Sequence, residues 1–138
     1  AYNFNLANYY LSIGSLDKSL NLLQQIDISD IRYSIATRAM QIRVFYELDE
    51  FEALSNLSTA FKTYLKRNKQ LNDARIQGFL NLLNLTISCS KYKSRKGYQS
   101  KAKSKLELDK INLKLAEAEQ VINRSWIESK VQLLMEQS

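Results

Sequence analysis

The 138 residues include 20 Lys and Arg, 14 Asp and Glu, one Cys, and no His or Pro, for a formal charge of +6. A 45% hydrophobic, 25% charged composition is that of a globular domain, or of a fragment of a larger protein, long enough to bury a core. The lack of His removes Ser-His-Asp and Cys-His nucleophiles and His-based zinc sites, and the lone Cys89 removes internal disulfides and multi-cysteine metal centres.

Apolar residues recur at three- and four-residue steps, so the chain reads as all-α, with about seven helices. A first helix spans about 2–13 and closes at Gly14; Ser15 then caps a second over about 16–27. Ser29 or Asp30 caps a third that runs to about Leu48. Asp49 or Glu50 opens a fourth, to about Arg67, with the stripe Phe51, Leu54, Leu57, Phe61, Tyr64 and Leu65. The fifth starts near Asn72 or Asp73 and runs to about Ser90, burying Ile76, Phe79, Leu80, Leu83 and Ile87, with Cys89 as a small buried hydrophobe.

After it comes KYKSRKGYQSKAKSK, Lys91 to Lys105, with seven bases and no acid, read as a polar connection loosened by Gly97. Ser104-x-x-Glu107 and Ser125-x-x-Glu128 have the form of capping boxes and mark the sixth and seventh helices, with Asn123 as a left-handed stop between them. Leu108, Ile111, Leu115, Ala118 and Ile122 form the sixth helix's stripe, and Trp126 leads that of the seventh and docks it on the fifth or sixth.

Chemistry is scarce along this path. There is no GxxxxGK[ST] or GxGxxG, and the carboxylates sit where they favour helix starts or point to different faces. The expectation is a protein that is not an enzyme, with no catalytic residue, cofactor or metal. No apolar run is long enough to cross a membrane and no secretory leader opens the chain, so a cytoplasmic location is expected. A start at Ala1 rather than Met reads as a segment of a longer protein.

The chain repeats internally. FNLANYYLSIGSLDKSLNLLQQI places Leu6, Ala7 and Tyr10 on one helix, Gly14 at the turn, and Ser19, Leu23 and Ile26 on the next. Thirty-five residues on, in MQIRVFYELDEFEALSNLSTAF, Phe45 matches Tyr10, Asp49 matches Gly14 and Phe51 matches Leu16, while Leu54 replaces Ser19. This pattern resembles the tetratricopeptide repeat, whose period is about 34 residues. It covers residues 1–67 as two repeats, leaving 68–138 as a divergent repeat and capping helices of one helical-repeat domain. FYELDEFEAL, FKTYLKRNKQL and NRSWIESKVQLL also look like the C-terminal part of uncharacterised bacterial proteins that contain such repeats.

The resemblance implies a superhelix of antiparallel hairpins that serves as a scaffold, holding a protein or peptide partner in a groove lined by the first helix of each repeat. The positions that correspond are Phe4, Asn8 and Leu11, then Ala39, Arg43 and Tyr46, of which Asn8, Arg43 and Tyr46 are the partner-binding candidates. A carboxylate clamp of the family's type would use Asn8 and Arg43, but Phe4 stands where its lysine belongs. The charge supplies an alternative. Residues 53–106 hold twelve bases and one acid, which favours nucleic acid or another polyanion at Lys62, Lys66, Arg67 and Lys69, and at Lys91, Lys93, Arg95 and Lys96. Tyr92 and Tyr98, interleaved among the lysines, could stack on bases.

Overall fold

A computed structural model describes residues 2–27, 31–68 and 70–138. Among these residues the protein is all-α, with seven helices and no strand: α1 (Tyr2–Ser12), α2 (Leu16–Gln24), α3 (Ile31–Glu47), α4 (Phe51–Arg67), α5 (Asp73–Arg95), α6 (Lys101–Glu117) and α7 (Arg124–Glu136). They form two compact units, Ala1–Phe61 and Lys62–Ser138. No helix among the described residues is long and apolar enough to cross a membrane.

In the first unit α1 and α2 make a hairpin. Gly14, at φ +80, supplies the left-handed turn, a conformation open to glycine at no steric cost. Two hydrogen bonds close α1 behind it, Gly14 N–H to the Leu11 carbonyl at 3.2 Å and Ser15 N–H to the Tyr10 carbonyl at 2.8 Å. These are the paired bonds of a Schellman stop. They also explain why Ser15 fails as a cap. Its backbone, at ψ 70, is committed to ending α1, and its side chain makes no capping bond to α2.

Ala7 and Ser19 are fully buried, and the Ser19 hydroxyl donates to the Ala7 carbonyl at 2.8 Å across the hairpin. Two small residues permit that approach. Leu23 of α2 and Met40 and Val44 of α3 complete the buried cluster, flanked by Phe4, Leu11 and Leu20. Each large apolar side chain taken from water here contributes about 1.5–3 kcal/mol. α2 ends at Gln24, short of the expected Asp27, because its last turn tightens: Gln25 and Ile26 donate to carbonyls only three residues back. The expected caps of the third helix, Ser29 and Asp30, lie outside the described residues.

In the second unit α5, α6 and α7 pack against one another pairwise. Leu108, Ile111 and Leu115 of α6 and Ile127, Val131 and Leu134 of α7 are buried, as are Phe79, Leu82 and Leu83 of α5. Trp126 is only half-buried, so the inner face of α7 is carried by the three aliphatic residues rather than by the tryptophan. α5 starts at Asp73, and Asn72 caps it, its side-chain oxygen accepting from Arg75 N–H at 2.8 Å.

Two boundaries in this unit differ from expectation for local reasons. α5 continues through Arg95, five residues past Ser90, because Tyr92 is buried at 1% exposure and Lys93 and Arg95 complement the negative end of the helix. α6 starts at Lys101 rather than at the Ser104 box: Ser100 caps it, its Oγ accepting from Lys103 N–H at 3.1 Å. Glu107 is thereby freed from capping and accepts instead from Gln99 Nε2 at 2.8 Å, with Arg95 at 3.4 Å.

α6 then stops at Glu117, and residues 118–123 run back along α5. There Ile122 N–H donates to the Gly78 carbonyl at 3.1 Å and Asn81 Nδ2 to the Gln120 carbonyl at 2.8 Å. A Cβ at Gly78 would lie 3.2 Å from Ile122 Cγ1, so a side chain there would require Ile122 to give by a few tenths of an ångström. Asn123 is left-handed as expected, at φ 56, but it precedes α7 directly, and Ser125 lies inside the helix rather than at its cap. Arg124 locks this corner by donating to the carbonyls of Leu115, Ala118 and Glu119, the open end of α6.

Candidate functional site

The positions suggested by the repeat lie on α1 and α3. Phe4 is half-buried and meets Tyr33 edge to face, with ring centroids 6.4 Å apart, and Leu11 packs on the Ala7–Leu23 cluster. Ala39 and Tyr46 are buried, at 5% and 3% exposure. Asn8 is exposed and Arg43 half-buried. Burial pushes the Arg43 guanidinium below its ordinary pKa, and Glu47 one turn along pulls it back up. Of the three partner-binding candidates, then, Asn8 and Arg43 offer polar surface and Tyr46 does not.

The basic residues sort into separate faces. Lys66 and Arg67 occupy the last turn of α4, where cations complement the dipole, and Lys62 Nζ donates to Asn84 Oδ1 at 2.7 Å. Arg67 also lines a shallow recess with Tyr64, Asn68 and Gln70. Lys69 lies outside the described residues. Lys91 and Arg95 line a groove of about 180 Å³ between α5 and α6, facing Lys110 and Lys114, with Glu107 among them. Lys93 lies near the Cys89 thiol, which burial pushes up to about 12 against the opposing pull of that lysine. A thiol held in that state is a poor nucleophile.

The lysine segment is therefore mostly helix, and its connection is the five-residue turn 96–100. Hydrogen bonds from Lys96 N–H to the Tyr92 carbonyl and from Tyr98 N–H to the Arg95 carbonyl fix it, so it is no loose linker. Tyr92 is buried and cannot stack on a base, whereas Tyr98 is 93% exposed. Beside the turn, Lys96, Lys101 and Lys105 line a cleft of about 750 Å³ with Leu108 and Met135.

Sequence reasoning missed Lys101, Lys105, Lys110 and Lys114 as members of these faces. The signal was present in their spacing: residues 101, 105 and 108 share one side of a helix and 107, 110, 111 and 114 another, once that helix is started at Ser100. Comparison with known protein families, with curated proteins and with solved structures yields no match.

Proposed function

We propose that this chain is a non-enzymatic helical-hairpin repeat module, of the kind seen in tetratricopeptide proteins, and that it works by holding another protein or a peptide. One observation carries the reading. The turn at Gly14 recurs 35 residues later at Asp49, which is also left-handed at φ 56, with Asp49 N–H on the Tyr46 carbonyl at 3.1 Å and Glu50 N–H on the Phe45 carbonyl at 3.0 Å. Those bonds are in the same register as the pair at Gly14. A backbone unit repeated at a fixed period is the basis of helical-repeat scaffolds.

Asn8 and Arg43 are the polar groups placed to read a partner. A peptide array probed with the intact protein and with an Asn8→Ala/Arg43→Ala variant tests this. Loss of the wild-type signals in the variant supports the reading, and an unchanged array overturns the role of these two residues.

The groove flanked by Lys91, Arg95, Lys110 and Lys114 favours a second reading, binding of a nucleic acid through its phosphates. Binding to a labelled single strand and a labelled duplex, titrated with salt, should weaken steeply as salt rises. A Lys91→Gln/Lys110→Gln variant that binds as well as the wild type would remove this groove from that role.

A further inference from the structure

We infer that the cleft at the α5–α6 turn is a discrete binding site for a phosphate monoester with a compact apolar body. Three cations converge on it, Lys96 from the turn and Lys101 and Lys105 from the first turns of α6. Lys105 also pairs with Asp109 at 2.9 Å, and Asp109 lines the same cleft, so the four side chains together carry a net charge of +2. That balance suits a dianionic phosphate, and lysines serve such groups as point charges. The cleft opens beside the N-terminal turn of the 17-residue α6, whose dipole adds positive potential, and beside the last turns of α5 and α7, whose dipoles oppose it, so the lysines carry the attraction for an anion.

An independent observation comes from Ser104. It lines the cleft, is only 8% exposed, and its Oγ has no hydrogen-bond partner. Buried hydroxyls are nearly always satisfied, and this one, enclosed behind the wall of a cationic cleft, reaches a ligand oxygen only if its side chain turns toward the cleft. The remaining wall combines the hydrocarbon of Tyr92, Leu108 and Met135 with Gly97, Gln137 and Ser138, and a cleft of about 750 Å³ is in the size range of small-molecule sites. Charge at the rim and hydrocarbon at the wall select an ester over bare phosphate.

The site does not depend on the scaffold reading. It differs from the nucleic-acid reading in using Lys101, Lys105 and Ser104 rather than the opposite groove, and in saturating with one ligand.

The test is an amide-resolved NMR titration of the intact chain with phenyl phosphate, beside inorganic phosphate, phenylacetate and a single-stranded oligonucleotide. Phenyl phosphate should bind saturably at one site, shifting the amides of Gly97, Lys101 and Ser104. It should bind more tightly than phosphate or phenylacetate. A Lys96→Gln/Lys101→Gln variant should bind it at least about tenfold more weakly, since one lost hydrogen bond to a charged group already costs that much. Ser104→Ala should weaken it less, with the fold read from the same spectra.

Shifts that do not saturate, equal binding of phenylacetate, or shifts confined to Lys91, Arg95, Lys110 and Lys114 would each overturn the assignment. Binding of the oligonucleotide alone, through those four residues, would leave the nucleic-acid reading standing and remove this one. Oligonucleotide binding lost together with phenyl phosphate binding in the Lys96→Gln/Lys101→Gln variant would also overturn it, because the cleft would then be part of a polyanion surface.

Discussion

The turns at Gly14 and Asp49 have one backbone and two different sequences. Both place a left-handed residue at the end of a helix and close it with bonds in the same register. Glycine reaches that conformation without penalty, and aspartate is among the few other residues that tolerate it. The helices that follow differ in a compensating way. In α2 the buried pair four residues apart is Ser19 and Leu23; in α4, at the same offsets, it is Leu54 and Ser58. One large and one small residue are kept, and their order is reversed. On the preceding helix Ala7 becomes Ile42, with both fully buried. The repeat therefore keeps its backbone turn and the combined volume of the pair on α2 and α4, while the preceding helix gains volume at Ile42.

The strongest challenge to that account is truncation of the large member of each pair. Leu23→Ala and Leu54→Ala should each cost about 2–5 kcal/mol, the range for a buried leucine reduced to alanine. Denaturant melts of the two variants should give similar losses, because each removes the one bulky residue of its pair. A much smaller loss at Leu54 would break the correspondence between the two hairpins.

Next in size are the turns themselves. Gly14→Ala forces an ordinary side chain into the left-handed region at roughly 1–2 kcal/mol, partly offset by the reduced freedom of the unfolded chain. No atom lies within 4 Å of the added Cβ, so no steric clash adds to the loss. Gly14→Asp should cost less than Gly14→Ala, because the residue used at Asp49 should serve at Gly14 as well. Equal losses would mean that the two turns are alike only in their hydrogen bonds.

How much of this was legible in the sequence depended on how local the physics was. The all-α class, the Gly14 stop, the start of α5 near Asn72 and the left-handed Asn123 rest on residues a few positions apart, and all four are present. The two Ser-x-x-Glu boxes had the right spelling but were displaced by competitors. Ser100 captured the start of α6, and Asn123 sits where the Ser125 box would have capped α7. The end of α6 was illegible because Gly78 and Asn81 settle it through contacts with residues remote in sequence. The basic cleft was hidden by the same error, since a segment read as a loop has no faces on which Lys101 and Lys105 could be aligned.

The smallest effect is the most discriminating, because its sign changes between the two hairpins. Ser19 and Ser58 are both buried serines, at 0% and 3% exposure. Ser19 donates to the Ala7 carbonyl, whereas the Ser58 hydroxyl has no hydrogen-bond partner. Removing a satisfied hydroxyl loses about 0.5–1.5 kcal/mol, while removing a buried unsatisfied one relieves a desolvation cost. Ser19→Ala should therefore lower the unfolding midpoint and Ser58→Ala should leave it unchanged or raise it, with the same slope against denaturant in both. If Ser58→Ala destabilises as much as Ser19→Ala, the second hairpin holds its serine as the first does, and the reversal of large and small is not compensation but the same contact relocated.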